Sequence, residues 1–521
     1  MIEFDSEAMS QPGLSADNVS ANSEPRAAGL REALVAKLLL LVLFGIAVGV
    51  AFRTESTYDI GDSIYHYLFA RYVPQHPENL LNSWAKPLFT LMATLPAQGG
   101  FLGMKLFQCT VVAASAWLAY VIARALRLPW PMLAILFCYA APDYFRIQYS
   151  GLTEPLFGLI LVGAVALAMT DRPVWSAALI AWLPFVRSEG ALLLGLWLVY
   201  LAWNRHWRAI PLLLTGFIVY SVVGGVVNGD FGWLVTQNPY GFHSQYGSGR
   251  WLHFLEHLPT LLGWALLAWV LVGILRMFFR LWHRAEWSRR LFRAELLLIY
   301  GVIVAFIGAH TAFWALGLFG SFGMTRVLTV LTPLCAVVAL SGLVWVSRLA
   351  PREWGRQAIA TAGVLAVVIM LFSRDHGYNN ENYALVGWHS NLHWSRDFKE
   401  KTIELRMADQ ATNWLKQHDA NWRQHPFAFE STYYSIALNV DLFDPFLRVP
   451  LAKDWAPCLD GVPVGTYVFW DHWFCPTEAH LPLALLQSDG RFVKLWEKSE
   501  PFFPTWPEGG SCQVVLFQKV R

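Results

Sequence analysis

Stretches of about twenty apolar residues, each long enough to cross a bilayer core, recur along this chain from Leu38 to Phe372, separated by polar breaks. Basic residues are not shared evenly among the breaks. Arg124 and Arg127, then Arg172, then Arg205 and Arg208, then the run Arg276, Arg280, Arg284, Arg289, Arg290 and Arg293, and finally Arg348, Arg352 and Arg356 fall in every second one. The intervening breaks are longer and poor in Lys and Arg. Cytoplasmic loops concentrate both residues, so this alternation predicts the topology and singles out any Arg or Lys on the opposite side.

Only 15% of the residues are charged and 55% are hydrophobic, where a soluble chain carries about a quarter charged. A net charge of +2 provides no basic field for nucleic acid. Of six cysteines, Cys109, Cys138 and Cys335 lie in apolar stretches, and Cys458, Cys475 and Cys512 lie near the C-terminus without a CxxC motif. If that region is outside the cell, one disulfide could form there.

Hydropathy and length predict about eleven spans, at 34–52, 101–123, 130–145, 152–170, 174–186, 190–203, 209–227, 259–280, 295–314, 327–347 and 357–373. Residues 1–33, polar and acidic, read as a disordered cytoplasmic tail, and 34–52 as a retained first helix. An odd count places residues 374–521 outside, in agreement with the Arg bias. The fold expected is therefore an all-α polytopic membrane protein, 34–373, with a long first outer loop, 53–100, and a small C-terminal extracytoplasmic α/β domain, 374–521. Within that domain Ile403–Gln417 has helical periodicity, while 427–429, 467–470 and 514–518 have strand character.

Chemistry concentrates in the outer breaks. In YDIGDSIYHYLFARY, Ile60, Ile64, Leu68 and Tyr72 recur every four residues, so the segment reads as a helix lying on the membrane surface. Asp59, Asp62 and His66 then share its opposite, aqueous face. A carboxylate there could deprotonate an acceptor hydroxyl. Asp62 and His66 could instead hold Mn²⁺ or Mg²⁺, though nothing in the pattern requires a metal. A bland reading, the solvated face of an interfacial helix, carries about equal weight. Lys86 follows at headgroup level. The motif GLTEPLF places Glu154 at an outer helix mouth, beside Asp143 and Arg146, where a carboxylate faces a cavity or a partner, or else complements the helix dipole. The motif RSEG places Arg187 and Glu189 on the outer side, and Arg326 in GSFGMTR does the same. Each arginine could fork onto a phosphate or pair structurally with a carboxylate. His310 reads as a packing residue.

GDSIYHYL in the first outer loop, TEPLF in a later one and RSEG together resemble the GT-C superfamily of membrane glycosyltransferases. The similarity is to bacterial relatives of the oligomannosyl, protein O-mannosyl and lipid A aminoarabinose transferases. The resemblance spans roughly 34–373 and, more loosely, the tail domain. It implies transfer of a sugar from a polyprenyl-phosphate carrier to a glycan, lipid or protein acceptor on the outer face of the inner membrane, with inversion of the anomeric centre. Residue by residue it implies Asp62 as the first-loop acid with Asp59 beside it, Glu154 as the second acid, and Arg187 with Glu189 as the R-x-E pair. Ser63 stands where the family often has a second acid. Substrate binding is expected of His66, Lys86, Arg146, Arg187, Glu189 and Arg326.

A lipid-linked sugar flippase or transporter is the main rival, since such folds also bury ionisable residues in the membrane. They show internal repeats and midplane sites, however, and this chain shows ionisable residues at outer helix ends. A non-catalytic membrane scaffold would leave the acidic stripe without a role.

Overall fold

The computed structural model describes residues 16–238, 240–373, 376, 378, 400–453, 456–501 and 510–521, with side chains from residue 29 onward. Helix α1 (Ala16–Ala51) begins ahead of the expected span, inside the segment read as an irregular tail, while residues 1–15 lie outside the described part. The outer loop that follows is itself folded into α2 (Asp62–Arg71) and α3 (Pro87–Ala97). Next come α4 (Gly100–Ala125), α5 (Leu133–Ala140), α6 (Pro142–Ile147), α7 (Glu154–Met169), α8 (Pro173–Ile180) and α9 (Gly190–Trp203). Pro at the first turn of α3, α6, α7 and α8 starts each helix at no hydrogen-bond cost, because the amide it lacks would be unpaired there.

Helix α10 (Thr215–Asn228) leads into an outer segment of short turns, α11 (Trp233–Thr236), α12 (His253–Glu256) and α13 (Leu258–Leu262). The chain then crosses through α14 (Trp264–Leu281), α15 (Arg290–Glu295) continued by α16 (Val302–Ala315), α17 (Thr332–Ser347) and α18 (Glu353–Leu371).

Among the described residues, seven helices are long and apolar enough to cross a membrane: Gly29–Ala51, Gly100–Ala125, Trp207–Asn228, Trp264–Leu281, Arg290–Ala315, Thr325–Ser347 and Glu353–Leu371. The other four expected spans are helical but shorter. Pro142 divides 130–145 into α5 and α6, and α8 and α9 are separated by the Arg187–Gly190 break. Burial sorts the long helices. The apolar window of Thr325–Ser347 is 100% buried, against 17% for Gly29–Ala51 and 22% for Glu353–Leu371. The first is the central pillar. The other two present Leu38, Leu41, Val42, Leu365 and Ile369 outward, as lipid-facing helices do.

Beyond the last span, α19 (Ile403–His418) packs on a five-stranded sheet of order β2-β1-β5-β7-β6, formed by β1 (Phe427–Phe429), β2 (Arg448–Val449), β5 (Tyr467–Asp471), β6 (Phe492–Pro501) and β7 (Ser511–Lys519). A separate two-stranded pair joins β3 (Ala452–Lys453) to β4 (Ala456–Pro457). Strand β1 runs parallel to β2 and β5, and β7 runs antiparallel to β5 and β6. All five residues of β5 are buried, as suits the centre of the sheet. The three tail cysteines are free thiols, so the disulfide considered from sequence is not formed.

The tail domain sits on the first outer loop. Tyr72 Oη donates to the Val440 carbonyl at 3.0 Å, His76 Nε2 lies 3.0 Å from Asp441 Oδ2, and the Phe69 and Phe443 rings are 4.8 Å apart. Helix α2 is consequently buried on several sides, including Ser63, Ile64, His66, Tyr67, Leu68, Phe69 and Ala70. This corrects the expected half-solvated surface helix. Most of the helix faces protein, and the Asp62 side chain is the part left open to water.

Candidate active site

Asp59 does not share the α2 helix with Asp62. It precedes the helix, and its Oδ1 accepts from the Gly61 and Ser63 amides at 3.0 and 2.9 Å, satisfying two of the donors a helix start leaves open. The cap turns Asp59 and Asp62 toward one cation. Arg326 Nη1 lies 2.5 Å from Asp59 Oδ2, its Nη2 bonds Asp62 Oδ2, and its Nε lies 3.4 Å from Glu154 Oε1.

Two motif glycines let the outer segments close around this centre. At Gly151, a Cβ would stand 2.1 Å from the Ser63 carbonyl oxygen, so only glycine permits the approach. The Gly151 amide donates to Ser63 Oγ at 2.7 Å, locking the GLTEPLF segment to α2. At Gly190, a Cβ would stand 2.6 Å from the Leu183 carbonyl carbon, so the RSEG turn folds back on its own preceding helix.

Through those contacts Arg187 reaches the same carboxylate as Arg326. Its Nη1 is 3.0 Å from Glu154 Oε1 and 3.1 Å from Thr153 Oγ1, and its Nη2 is 2.9 Å from Glu189 Oε1. His310 Nε2 stands 3.8 Å from the same Glu189 oxygen, among the rings of Phe254, Phe306 and Phe313. Lys86 Nζ donates to Ser188 Oγ at 2.9 Å and to the Ser83 carbonyl at 3.0 Å, and sits 4.6 Å from the Tyr240 ring centre. The backbone at Lys86 is left-handed, φ 67° and ψ 100°, directly before Pro87, where extended conformations are the norm. Such strain persists where surrounding structure enforces it.

Four carboxylates, two guanidiniums and one ammonium thus converge from 59–62, 86, 154, 187–189 and 326. Burial pushes the Asp59 carboxyl up, to about 6, against the pull of Arg326 and with the help of Asp62. Burial opposes ionisation of Glu189 too, but Arg187 and His310 outweigh it and hold that group at about 2. Burial lowers Lys86 to about 8. It also lowers His66 to about 4, so the imidazole is neutral near pH 7. His66 is 7% exposed, stacks on Trp84 at 4.7 Å and leaves Nδ1 without a hydrogen bond.

Of the expected site residues, Asp59, Asp62, Glu154, Arg187, Glu189, Arg326 and Lys86 come together, and His66 lies beside them behind Asp62. Arg146 does not join. It is fully buried and lies 3.5 Å from Asp143, one helical turn away on α6. Both outer guanidiniums already hold carboxylates, which supports the structural pairing for them over an open phosphate fork. For the metal, Asp62 engages Arg326, and among the described residues no group of three His, Cys, Asp or Glu side chains could hold an ion. Tyr240 was missed as a neighbour of the site. Its only sequence signal is an aromatic residue in a long outer break.

No family model matches the chain, and no curated protein matches it either. Solved structures do. ArnT from Cupriavidus metallidurans bound to undecaprenyl phosphate superposes with a TM-score of 0.53 at 14% identity, covering 93% of this chain and 97% of that one. ArnT from the same organism in the apo state gives 0.54 at 13% identity, over 94% and 98%. Likeness at this identity is one of architecture, and it extends over both the membrane part and the tail domain. The chain has the fold of these ArnT structures.

Proposed function

We propose that this protein moves a sugar from a polyprenyl-phosphate carrier to an acceptor hydroxyl at the outer surface of the inner membrane, with its N-terminus cytoplasmic and residues 374–521 as an extracytoplasmic domain. The observation that carries the reading is the convergence of Asp59, Asp62 and Glu154 on Arg326, beside Lys86, at the outer helix ends. An ArnT of the same fold binds undecaprenyl phosphate, which supports a polyprenyl-phosphate donor here.

Accessibility supports a division of roles. The Asp62 side chain is 40% exposed, against 20% for Asp59 and 0% for Glu154, so an acceptor hydroxyl can reach only the first of these readily. Arg326 engages Asp62 through Oδ2, and Oδ1 makes no hydrogen bond among the described residues. In the proposed step that oxygen takes the hydroxyl proton while the acceptor oxygen bonds the anomeric carbon. The bond from that carbon to the carrier phosphate breaks, and the electron pair leaves with the phosphate. Attack from the face opposite the phosphate inverts the centre.

Lys86 is the cation best placed for the departing phosphate, since hydroxyl, carbonyl and ring are its partners and, among the described residues, no carboxylate neutralises it at contact distance. Arg187 and Arg326 hold the carboxylates in register. The acceptor, whether glycan, lipid or protein, would approach the exposed side chain of Asp62. The clustering of charge at helix ends favours this reading over a flippase with a midplane site.

The test is direct. Purified protein is mixed with a panel of radiolabelled polyprenyl-phosphate sugars and membrane extract. Labelled product from at least one donor is expected, and its loss in Asp62→Asn ties the product to this site. Label that stays on every donor overturns the proposal.

A further inference from the structure

On the opposite, Arg-rich side, a cavity of about 500 Å³ opens between the middle of α1 and the ends of four other elements. Arg124 and Arg127 border it from the end of α4, Trp130 and Pro131 from the turn before α5, Arg348 from the end of α17 and Arg356 from the start of α18. Its acidic lining is Glu32 and Glu353.

Arginine is expected on this side for topology alone, so the question is whether these four are compensated. Elsewhere on the same side some are, while Arg172, Arg205, Arg208, Arg284, Arg293 and Arg352 have no carboxylate partner among the described residues, so what sets these four apart is that they line one cavity. Arg276 and Arg280 lie 2.9 and 2.6 Å from Glu295, Arg289 lies 2.5 Å from Glu286, and Arg290 bonds Asp171. Around the cavity the pairs are looser, Arg124 to Glu32 at 3.5 Å and Arg356 to Glu353 at 3.7 Å. Arg127 and Arg348 have no carboxylate partner among the described residues. One concave space is therefore lined by four guanidiniums against two carboxylates, and two of the four have no carboxylate in contact among the described residues.

The backbone is also held unusually there. Arg127 and Trp130 both adopt left-handed conformations, φ 53° and 52°, which side chains with a Cβ disfavour. Arg127 is the left-handed residue that ends α4, with the Leu128 amide returned to the Ala123 carbonyl at 3.0 Å, and the turn brings Trp130 to the cavity rim. The volume is within the range of small-molecule sites, and basic pockets between helices at the cytoplasmic membrane surface suit lipid head groups.

We propose that this cavity binds a phosphate-bearing anion, the head group of an anionic diacyl phospholipid of the inner leaflet, at a site separate from the outer carboxylate cluster. Arg127 and Arg348 fork onto the phosphate oxygens, and the Trp130 indole lies at the glycerol level. The inference does not depend on the transferase reading.

The experiment uses the full chain in detergent. Melting temperature and native mass spectra are recorded with dioleoyl-phosphatidylglycerol, dioleoyl-phosphatidylcholine or inorganic phosphate, for the parent and for Arg127→Gln with Arg348→Gln. Phosphatidylglycerol should raise the parent's melting temperature and remain bound in the spectrometer, and phosphatidylcholine should do neither. The double variant should lose about tenfold or more in phosphatidylglycerol affinity, at roughly 1 kcal/mol per arginine. Arg127→Gln alone, at an exposed residue, serves if the double variant does not fold. A shift with inorganic phosphate that also vanishes in the variant keeps the site and makes free phosphate its ligand. Equal responses of parent and variants, or an equal response to phosphatidylcholine, overturn the proposal.

Discussion

Arg326 Nη1 rests 2.5 Å from Asp59 Oδ2 although the two residues are 267 positions apart. One cation thereby ties the first outer loop to the start of the central pillar, and through Glu154 it ties both to the Arg187–Glu189 turn. Any account of activity has to separate residues that do chemistry from those that hold this knot together.

Asp62→Asn keeps the side-chain shape and removes the proposed base. Transfer should fall by roughly 10²-fold or more, with the melting temperature in detergent little changed. Normal turnover would move the role to Asp59 or Glu154.

Arg187→Met should act on stability. It removes the guanidinium that holds Glu189 and one of the two that hold the fully buried Glu154, and breaking a buried pair costs about 3 kcal/mol. Adding Glu189→Gln and Glu154→Gln should restore most of the loss. If the melting temperature holds while donor affinity collapses, Arg187 binds phosphate after all.

Lys86 titrates near 8, so it sheds charge just above neutrality. Polyprenyl-phosphate affinity should be flat below pH 8 and weaken by up to about tenfold per pH unit above it. Lys86→Arg, charged throughout, should remove that decline. An unchanged profile would place the phosphate away from Lys86.

Acid should act on His66 and Asp59 in opposite directions. The folded state holds His66 at about 4, below its usual 6.5, so the unfolded chain takes the proton first and stability is lost as pH falls through that window. Asp59, raised from 3.8 to about 6, is protonated first in the folded state, so stability grows as pH falls from 6 to 3.8. Relative to the parent, His66→Phe should gain stability between pH 6.5 and 4, and Asp59→Asn should lose it between 6 and 3.8. Difference curves of melting temperature against pH with the reverse signs would refute both assignments.

A reporter fused after Arg521 should be active only if it is one that works outside the cytoplasm. Activity of a cytoplasm-only reporter there would invert the topology and detach the carboxylate cluster from the outer face.

Much of this was legible in the sequence because membrane spans and their flanking motifs are local signals. GLTEPLF and RSEG were readable as outer breaks, and their glycines turn out to be where backbones touch. The role of Arg326 was not readable, since nothing near residue 326 indicates carboxylates 264 and 267 positions earlier. Helical periodicity ran Asp59 into α2, whereas the helix starts at Asp62 with Gly61 as its N-cap, and Asp59 lies ahead of it and accepts from the Gly61 and Ser63 amides. Burial of His66 depended on the tail domain and Trp84, and short-range pattern carries neither. Strand β6 escaped notice because Lys494, Glu497, Lys498 and Glu500 interrupt its apolar alternation. Those charges sit on the edge of the sheet, where they discourage pairing with another chain.

The Arg326 knot also has a consequence for biogenesis. Translation proceeds at about 5–20 residues per second, so Asp59 leaves the ribosome roughly 13 to 53 seconds before its counter-ion does. On the proposed topology the first loop spends that interval outside with its acids hydrated and unclamped, and α2 can be only loosely held. Assembly of the outer face therefore awaits insertion of the ninth-tenth stretch of the membrane region, and a nascent chain stalled before residue 326 would display an open acidic loop to quality-control proteases.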